Sequence, residues 1–319
     1  MGANQLNEIL GVRTPILLAG MGGIAGPALA AAVSNAGAAG CVGGYKLKGD
    51  QLGDVLLETA TLTSRPFGIN FIPEVVGTAG LEQQIDLVVR TGPPQVFITL
   101  FGMPDDDAIP FLRKSGRPLV IQVGTVEDAE HAAGFCDVVV LQGIEAGGHL
   151  LGQLPLAELF ARCNDRGLRV PLVVSGGIAD TATIRQYRSA GAAGVQLGTA
   201  FLVAEEAQTH PTFVDRVLAA SASDTVITDR FTIGWPGRRH RVLAHPVAVG
   251  PKQLSTFIGR TTISGRDYVI PRYSAAVPTR ATSGRIEEMV MYCGTSCDHI
   301  TATEPAHKLV ARLAAAFEE

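Results

Sequence analysis

The stretch LVVSGGIADTATIRQYRSAGAAGVQLGT, Leu172 to Thr199, holds one complete structural unit. An apolar run ends in Ser175, Gly176 and Gly177. Asp180 then opens a segment with helical spacing, a glycine closes it, and a second apolar run ends in Gly198 and Thr199. Runs that are apolar at both odd and even positions suit strands buried on two faces, as parallel sheets require. The helix between them is the crossover that parallel neighbours need.

Working outward, the same unit recurs. Strands are expected at 15–20, 39–44, 67–72, 96–101, 119–124, 138–143, 172–177 and 194–199. Helical patterns such as GPALAAAVSNAG (26–37) lie between them. In TVEDAEHAAG, Thr125 is an expected N-cap, Asp128 follows three residues later, and Gly134 closes the helix. Eight units in series predict an α/β fold, a closed (β/α)8 TIM barrel. The alternative is an open doubly wound sheet. GMGGIA (20–25) fits the dinucleotide fingerprint, but Asp50, the nearest candidate for its partner acid, lies beyond a lysine-containing loop. After about residue 221 the alternation stops. The expected division is a barrel over 1–231 and an appended C-terminal segment over 232–319, packed beside the barrel mouth.

Composition agrees with a large buried core: 319 residues, 46% hydrophobic, with 37 glycines for tight strand-to-helix turns. The net charge of -4 and the lack of a long basic run leave no electrostatic footprint for nucleic acid. No stretch is long and apolar enough to predict a membrane span. The start MGANQLNEIL lacks a basic n-region, and Leu6 stands where a myristoylation signal needs Ser or Thr. Five scattered cysteines suit free thiols in the cytoplasm, the expected location. The oligomeric state is left open, a homo-oligomer included.

In a barrel, function collects at the carboxyl ends of the strands, with phosphate often after strands seven and eight. Ser175, Gly176 and Gly177 end strand seven; Gly198 and Thr199 end strand eight. Their backbone N–H groups and the helix starts behind them suit an anion. Asn70 and Gln142 end strands three and six and could hydrogen-bond a flat, heteroatom-rich ring. A long, phosphorylated, ring-bearing ligand follows. FMN fits, while other phosphorylated cofactors or substrates stay open. His149, just after Gly147 and Gly148, is the candidate base; a solvated loop histidine is the bland alternative.

Taken together, EAGGH (145–149), SGGIAD (175–180), GVQLGTAFL (194–202), PFGIN (66–70) and HPTF (210–213) resemble the nitronate monooxygenases, formerly 2-nitropropane dioxygenases. The resemblance runs from about Gly11 to about Phe231. It implies an FMN-binding barrel with His149 as catalytic base. Asn70, Gln142, Gly147, Gly148, Gly176, Gly177, Gln196, Leu197, Gly198 and Thr199 would hold the flavin with Ser175, and Met21 and Gly22 would lie near the isoalloxazine. It also implies oxidation of alkyl nitronates or nitroalkanes by O2 to a carbonyl compound and nitrite. FMN-dependent NAD(P)H reductases of the enoyl-acyl-carrier or quinone type are the rivals, and a non-redox phosphate-binding barrel is the rival from another class.

The chain departs from the pattern in three places. Gly20 stands where the family commonly has proline, the late motif reads YCGTS (292–296), and 233–290 match poorly. Cys293, Cys297 and His299 lack a clear fourth ligand, so no metal is expected. Tyr45 and Lys46 could border the substrate pocket. Glu145 is expected to cap its loop or face solvent rather than orient His149. GWPGRRHR (234–241) reads as a solvated surface loop.

Overall fold

The computed structural model describes residues 3–44, 47–263 and 266–318. Tyr45 and Lys46, placed near the pocket by the sequence, lie outside the described residues. The barrel strands are β1 (Ile16–Leu18), β2 (Gly40–Gly43), β3 (Phe67–Phe71), β4 (Val96–Phe101), β5 (Leu119–Val123) and β6 (Val138–Gln142). A two-residue strand, β7 (Gly148–His149), interrupts the series before β8 (Leu172–Ser175) and β9 (Gly194–Leu197) complete it. All eight barrel strands are parallel, in the order β1-β9-β8-β6-β5-β4-β3-β2. Leu18 N donates to Ala39 O at 2.9 Å and Ala39 N to Ile16 O at 2.8 Å, joining the two ends. The sheet is therefore a closed (β/α)8 barrel.

Every expected strand is present, most of them trimmed at the carboxyl end. The cause is local. Gly176 and Gly177 have φ of 116° and 71°, a region that L side chains avoid, so β8 stops at Ser175. The cap expected at Thr125 forms, its Oγ1 accepting from Asp128 N at 3.1 Å, and Asp180 caps the helix it opens, its Oδ1 accepting from Thr183 N at 2.9 Å.

Strand parity sorts the core into layers. Alternate residues such as Ile69, Ile98, Ile121, Val174 and Leu197 point outward and are buried beneath the helices. Their neighbours Leu17, Phe97, Val120, Val140 and Val173 fill the barrel interior, closed from below by Leu6 and Leu10 of the first helix. Phe97 occupies the volume that a side chain at Gly68 would need, since a Cβ there would come within 2.3 Å of its ring.

The chain beyond residue 202 makes a long excursion before returning. β10 (Thr225–Thr228) and β11 (His240–Leu243) form an antiparallel pair, and β11 also pairs with β7 of the barrel loop. Further on, 257–263, 266–271 and 283–284 form a second small antiparallel sheet. The helix Ala306–Ala314 then packs against Pro27–Asn35 and Thr181–Ser189, the outer position that belongs to an eighth barrel helix. The expected boundary at 231 divides the chain in sequence, while the fold brings its last helix back to the barrel. No helix among the described residues is long and apolar enough to cross a membrane.

Two glycines test this packing in opposite directions. A Cβ on Gly40 would lie 1.9 Å from the Ala30 carbonyl oxygen, whereas one on Gly53, inside the helix Asp50–Leu62, would meet nothing within 4 Å. Gly40→Ala should lose roughly 3 kcal/mol through overpacking against backbone. Gly53→Ala should gain up to about 1 kcal/mol through helix propensity. Denaturant midpoints of the two variants check both signs.

Candidate active site

At the carboxyl ends of the strands, the inward positions change from apolar to polar. One step above Phe97, Val120, Val140 and Val173 come Thr99, Gln122, Gln142 and Ser175, with Asn70 and Gln196 on the neighbouring strands. Two pairs among them hydrogen-bond to each other, as enclosed polar groups require. Gln196 Nε2 donates to Gln122 Oε1 at 2.6 Å, and Asn70 Nδ2 donates to Thr99 Oγ1 at 2.8 Å. Above this girdle a cleft of about 1180 Å³, measured to its open mouth, occupies the top of the barrel.

Most of the residues picked from the sequence converge on that cleft. Met21, Gly22, Asn70, Gln142, Gly147, His149, Ser175, Gly176, Gly177, Gln196, Gly198 and Thr199 all line it. Gly148 and Leu197 do not. Gly148, at φ 82°, turns the chain beside Tyr292, and Leu197 points outward into the core.

His149 is held from several sides. The amide of Gln142 clasps its loop: Nε2 donates to His149 O at 3.0 Å, and Oε1 accepts from Leu151 N at 2.8 Å. His149 pairs with His240 across β7 and β11, and Leu150 N donates to Arg239 O at 2.9 Å. Arg241 ties Ile144 O with Nε and Nη2, at 3.1 and 2.9 Å. Glu145 does not reach the imidazole; its Oε2 accepts from Leu156 N at 3.0 Å, capping the helix Leu156–Asp165. The glycines of EAGGH serve chain contact as well as ligand approach, because a Cβ on Gly147 would lie 2.5 Å from Gly294 N.

The imidazole is buried, and its Nε2 has no hydrogen-bond partner. Burial first, then the positive fields of His240 and Arg238, pull its pKa down to about 3. His149 is therefore neutral at physiological pH and able to accept a proton. The described lining residues include no Lys, Arg, Asp or Glu.

The anion end differs in detail from the expectation. The helix after β8 already has an anionic cap, Asp180, which also faces His299 at 3.6 Å. What remains toward the cleft is the turn at Gly176 and Gly177, together with Gly198 and Thr199. Thr199 Oγ1 also accepts from Gly294 N at 3.0 Å. Cys293 and Cys297 are buried free thiols, and no cluster of metal-ligating side chains occurs among the described residues.

Some site residues were not singled out for the site. Gln122 follows the parity that marks Gln142 and could have been found by it. Tyr292 and Ser296 of the YCGTS motif also line the cleft. Trp235 corrects the reading of 234–241 as a solvated loop. It is only 9% exposed and stacks on His149, with ring centroids 3.6 Å apart and planes 16° from parallel. Nothing local in GWPGRRHR signals this, because the contact depends on tertiary packing.

Comparison with known proteins agrees with this architecture. The nitronate monooxygenase family model matches residues 3–78 and 72–316. A probable nitronate monooxygenase of Bacillus subtilis is 33% identical over 275 residues, covering 72% of this chain and 77% of that protein. A 5-hydroxy-7a-methyl-1-oxo-octahydro-1H-indene-4-carboxyl-CoA dehydrogenase of Rhodococcus jostii is 32% identical over 240 residues, 75% of this chain. The match spans 65% of that dehydrogenase's length. Among solved structures, a nitroalkane oxidase from Streptomyces ansochromogenes superposes with a TM-score of 0.75 at 25% identity, covering 97% of this chain and 96% of that one.

The buried histidines give the protein a defined acid limit. His149 and His245 are pulled down to about 3 and about 4, and His240 is lowered as well, in each case chiefly by burial. Their neutral forms are native, while the unfolded chain takes up protons near pH 6.5. Stability is therefore complete above pH 6.5 and falls as pH drops toward 4, by up to about 1.4 kcal/mol per pH unit for each histidine. His245→Leu removes a ring whose two nitrogens are both unpaired and should flatten the fall. Melting temperatures of both proteins between pH 7 and pH 4.5 check the sign and the difference.

Proposed function

Because the chain belongs to the nitronate monooxygenase family, we propose that it is an FMN-dependent enzyme that oxidises nitroalkanes or their nitronates with O2. The products are a carbonyl compound and nitrite. The observation that carries the reading is a neutral, buried imidazole whose Nε2 is unpaired, at the wall of a cleft lined by neutral amides.

The residues fit the flavin chemically. The girdle of Asn70, Gln122, Gln142 and Gln196 offers donors and acceptors without charge, as the edge of an isoalloxazine requires. The turns at Gly176, Gly177 and Gly198 would take the phosphate through backbone N–H groups. Met21 and Gly22 would border the ring system. The flavin supplies the electron transfer.

The protein's part is to manage one proton. Neutral His149 takes the α-proton of a nitroalkane at an imidazole nitrogen, and the carbon acid becomes an anion beside the new imidazolium. Burial that disfavours an isolated imidazolium is offset when the opposite charge forms next to it. The walls formed by Ile72, Phe101 and Val277 keep water away from the pair. A substrate that arrives already as a nitronate needs no such transfer.

A second reading keeps the scaffold and takes hydride from NAD(P)H; similarity to a dehydrogenase supports redox chemistry other than nitronate oxidation on such a chain. Anaerobic addition of NAD(P)H to the purified yellow protein separates the two. Rapid bleaching by NAD(P)H but not by nitronate favours the reductase.

His149→Asn should lower kcat/KM on neutral nitroethane by about 100-fold or more, the usual weight of general base catalysis. On ethyl nitronate the same variant should stay within about tenfold of the unmodified enzyme. Nitrite release measured on both substrates decides it, and equal losses on the two would remove the base assignment.

A further inference from the structure

His149 has no carboxylate behind it, yet a general base must be held at one angle to work. The backbone contacts of its loop place its Cα and leave the ring plane to be set by something else. The indole of Trp235, the chain's only tryptophan, lies flat against the imidazole. Phe101 meets the indole edge-on, at 5.4 Å and 83°. The indole is anchored in turn: its Nε1 donates to Glu74 Oε1 at 2.5 Å. Arg238 Nε reaches both Glu74 oxygens at 2.7 Å. Glu74 sits in the first turn of the helix Pro73–Thr91, directly after the strand that carries Asn70. The anchor therefore joins the C-terminal excursion to the barrel across the cleft.

We propose that Trp235, held by Glu74 and Arg238, is the positioning residue for His149: it fixes the imidazole plane and keeps water from that face. This rests on reading His149 as the base. The indole covers a face of the ring and not its edges, and the buried Nε2 at one edge has no hydrogen-bond partner. Other groups also face the imidazole. His240 and Tyr292 lie at ring-centroid distances of 5.2 Å each, and Arg238 adds positive charge from the strap itself. None of these is stacked on it, so none replaces the indole's control of its plane. Glu74 supplies negative charge at the indole's Nε1 edge, while the imidazole lies against the indole's face.

The test compares Trp235→Leu, Trp235→Phe and Glu74→Ala with the unmodified holoenzyme. The His149 imidazole is titrated by NMR on 13C-histidine-labelled protein, its signal assigned by its loss in His149→Asn. Removing the stack opens the ring to water, so in Trp235→Leu the signal should titrate at least about one pH unit higher. The acid limb of kcat/KM on nitroethane should move with it, and kcat should fall about tenfold while KM changes little. Trp235→Phe should restore most of both effects, because a phenyl ring still stacks. Glu74→Ala should shift both in the same direction by less. An unmoved His149 titration in Trp235→Leu, or a change confined to KM, overturns the proposal. Should Trp235→Leu fail to fold, an unmoved titration in Glu74→Ala overturns it equally. The NMR titration needs no turnover, so an enzyme inactive on nitroalkanes refutes the proposed function while leaving the positioning claim to be decided on its own.

Discussion

Everything at the mouth depends on closure of the barrel, and closure rests on the short β1. Across the seam Leu18 N donates to Ala39 O, and Ala39 N, just before β2, donates to Ile16 O. With the seam shut, every strand turns the same parity toward one axis. The hydrogen bond between Gln122 and Gln196 makes the point. Their strands are three steps apart in the sheet. In an open sheet the two strands would be separated by roughly 14 Å. At 2.6 Å, their amides meet across the barrel interior. The polar girdle is thus a consequence of closure.

The second constraint is how closely backbones approach around His149. Gly124 and Gly152 touch so nearly that a Cβ on Gly152 would lie 1.9 Å from Gly124 O. Gly147 and Gly294 are similarly close, and a Cβ on Gly177 would press on Glu145 and Thr295. These contacts dock the loop 143–152 onto β5 on one side and onto the returning C-terminal segment on the other. A glycine-rich loop read in isolation suggests room for a ligand. Here much of that room is taken by the chain itself, and the loop is made rigid by it. That rigidity fixes where the His149 imidazole stands in the wall of the cleft.

The barrel was readable because its signals are local. Short apolar runs, glycine ends and caps such as Thr125 and Asp180 act within a few residues, and those elements appear where expected. The amides Asn70 and Gln142 and the histidine of EAGGH were readable for the same reason: each stands at the end of its own strand or in the loop just beyond. Gln122 obeys the same parity and went unnoticed because its strand ends without an unusual loop. Trp235 is a different case. Its role comes from a stack with a residue 86 positions earlier in the chain. The basic residues around it read as solvated because their partners, Glu74 and the carbonyls of Leu150 and Ile144, belong to other elements. Long-range pairing leaves no periodicity to find.

That division of labour separates two properties that motif reading tends to merge. The girdle of amides and glycine turns comes from the barrel and suits a flat, phosphorylated cofactor. The surroundings of His149 come partly from elsewhere: burial does most to hold it neutral, His240 and Arg238 in the excursion after β9 add to that, and Trp235 from the same segment covers one face of the ring. Changes within 232–241 would alter the surroundings of the imidazole while leaving the strand-end motifs and the amide girdle in place. The surroundings of His149 are thus set in part by a segment that carries none of the strand-end motifs.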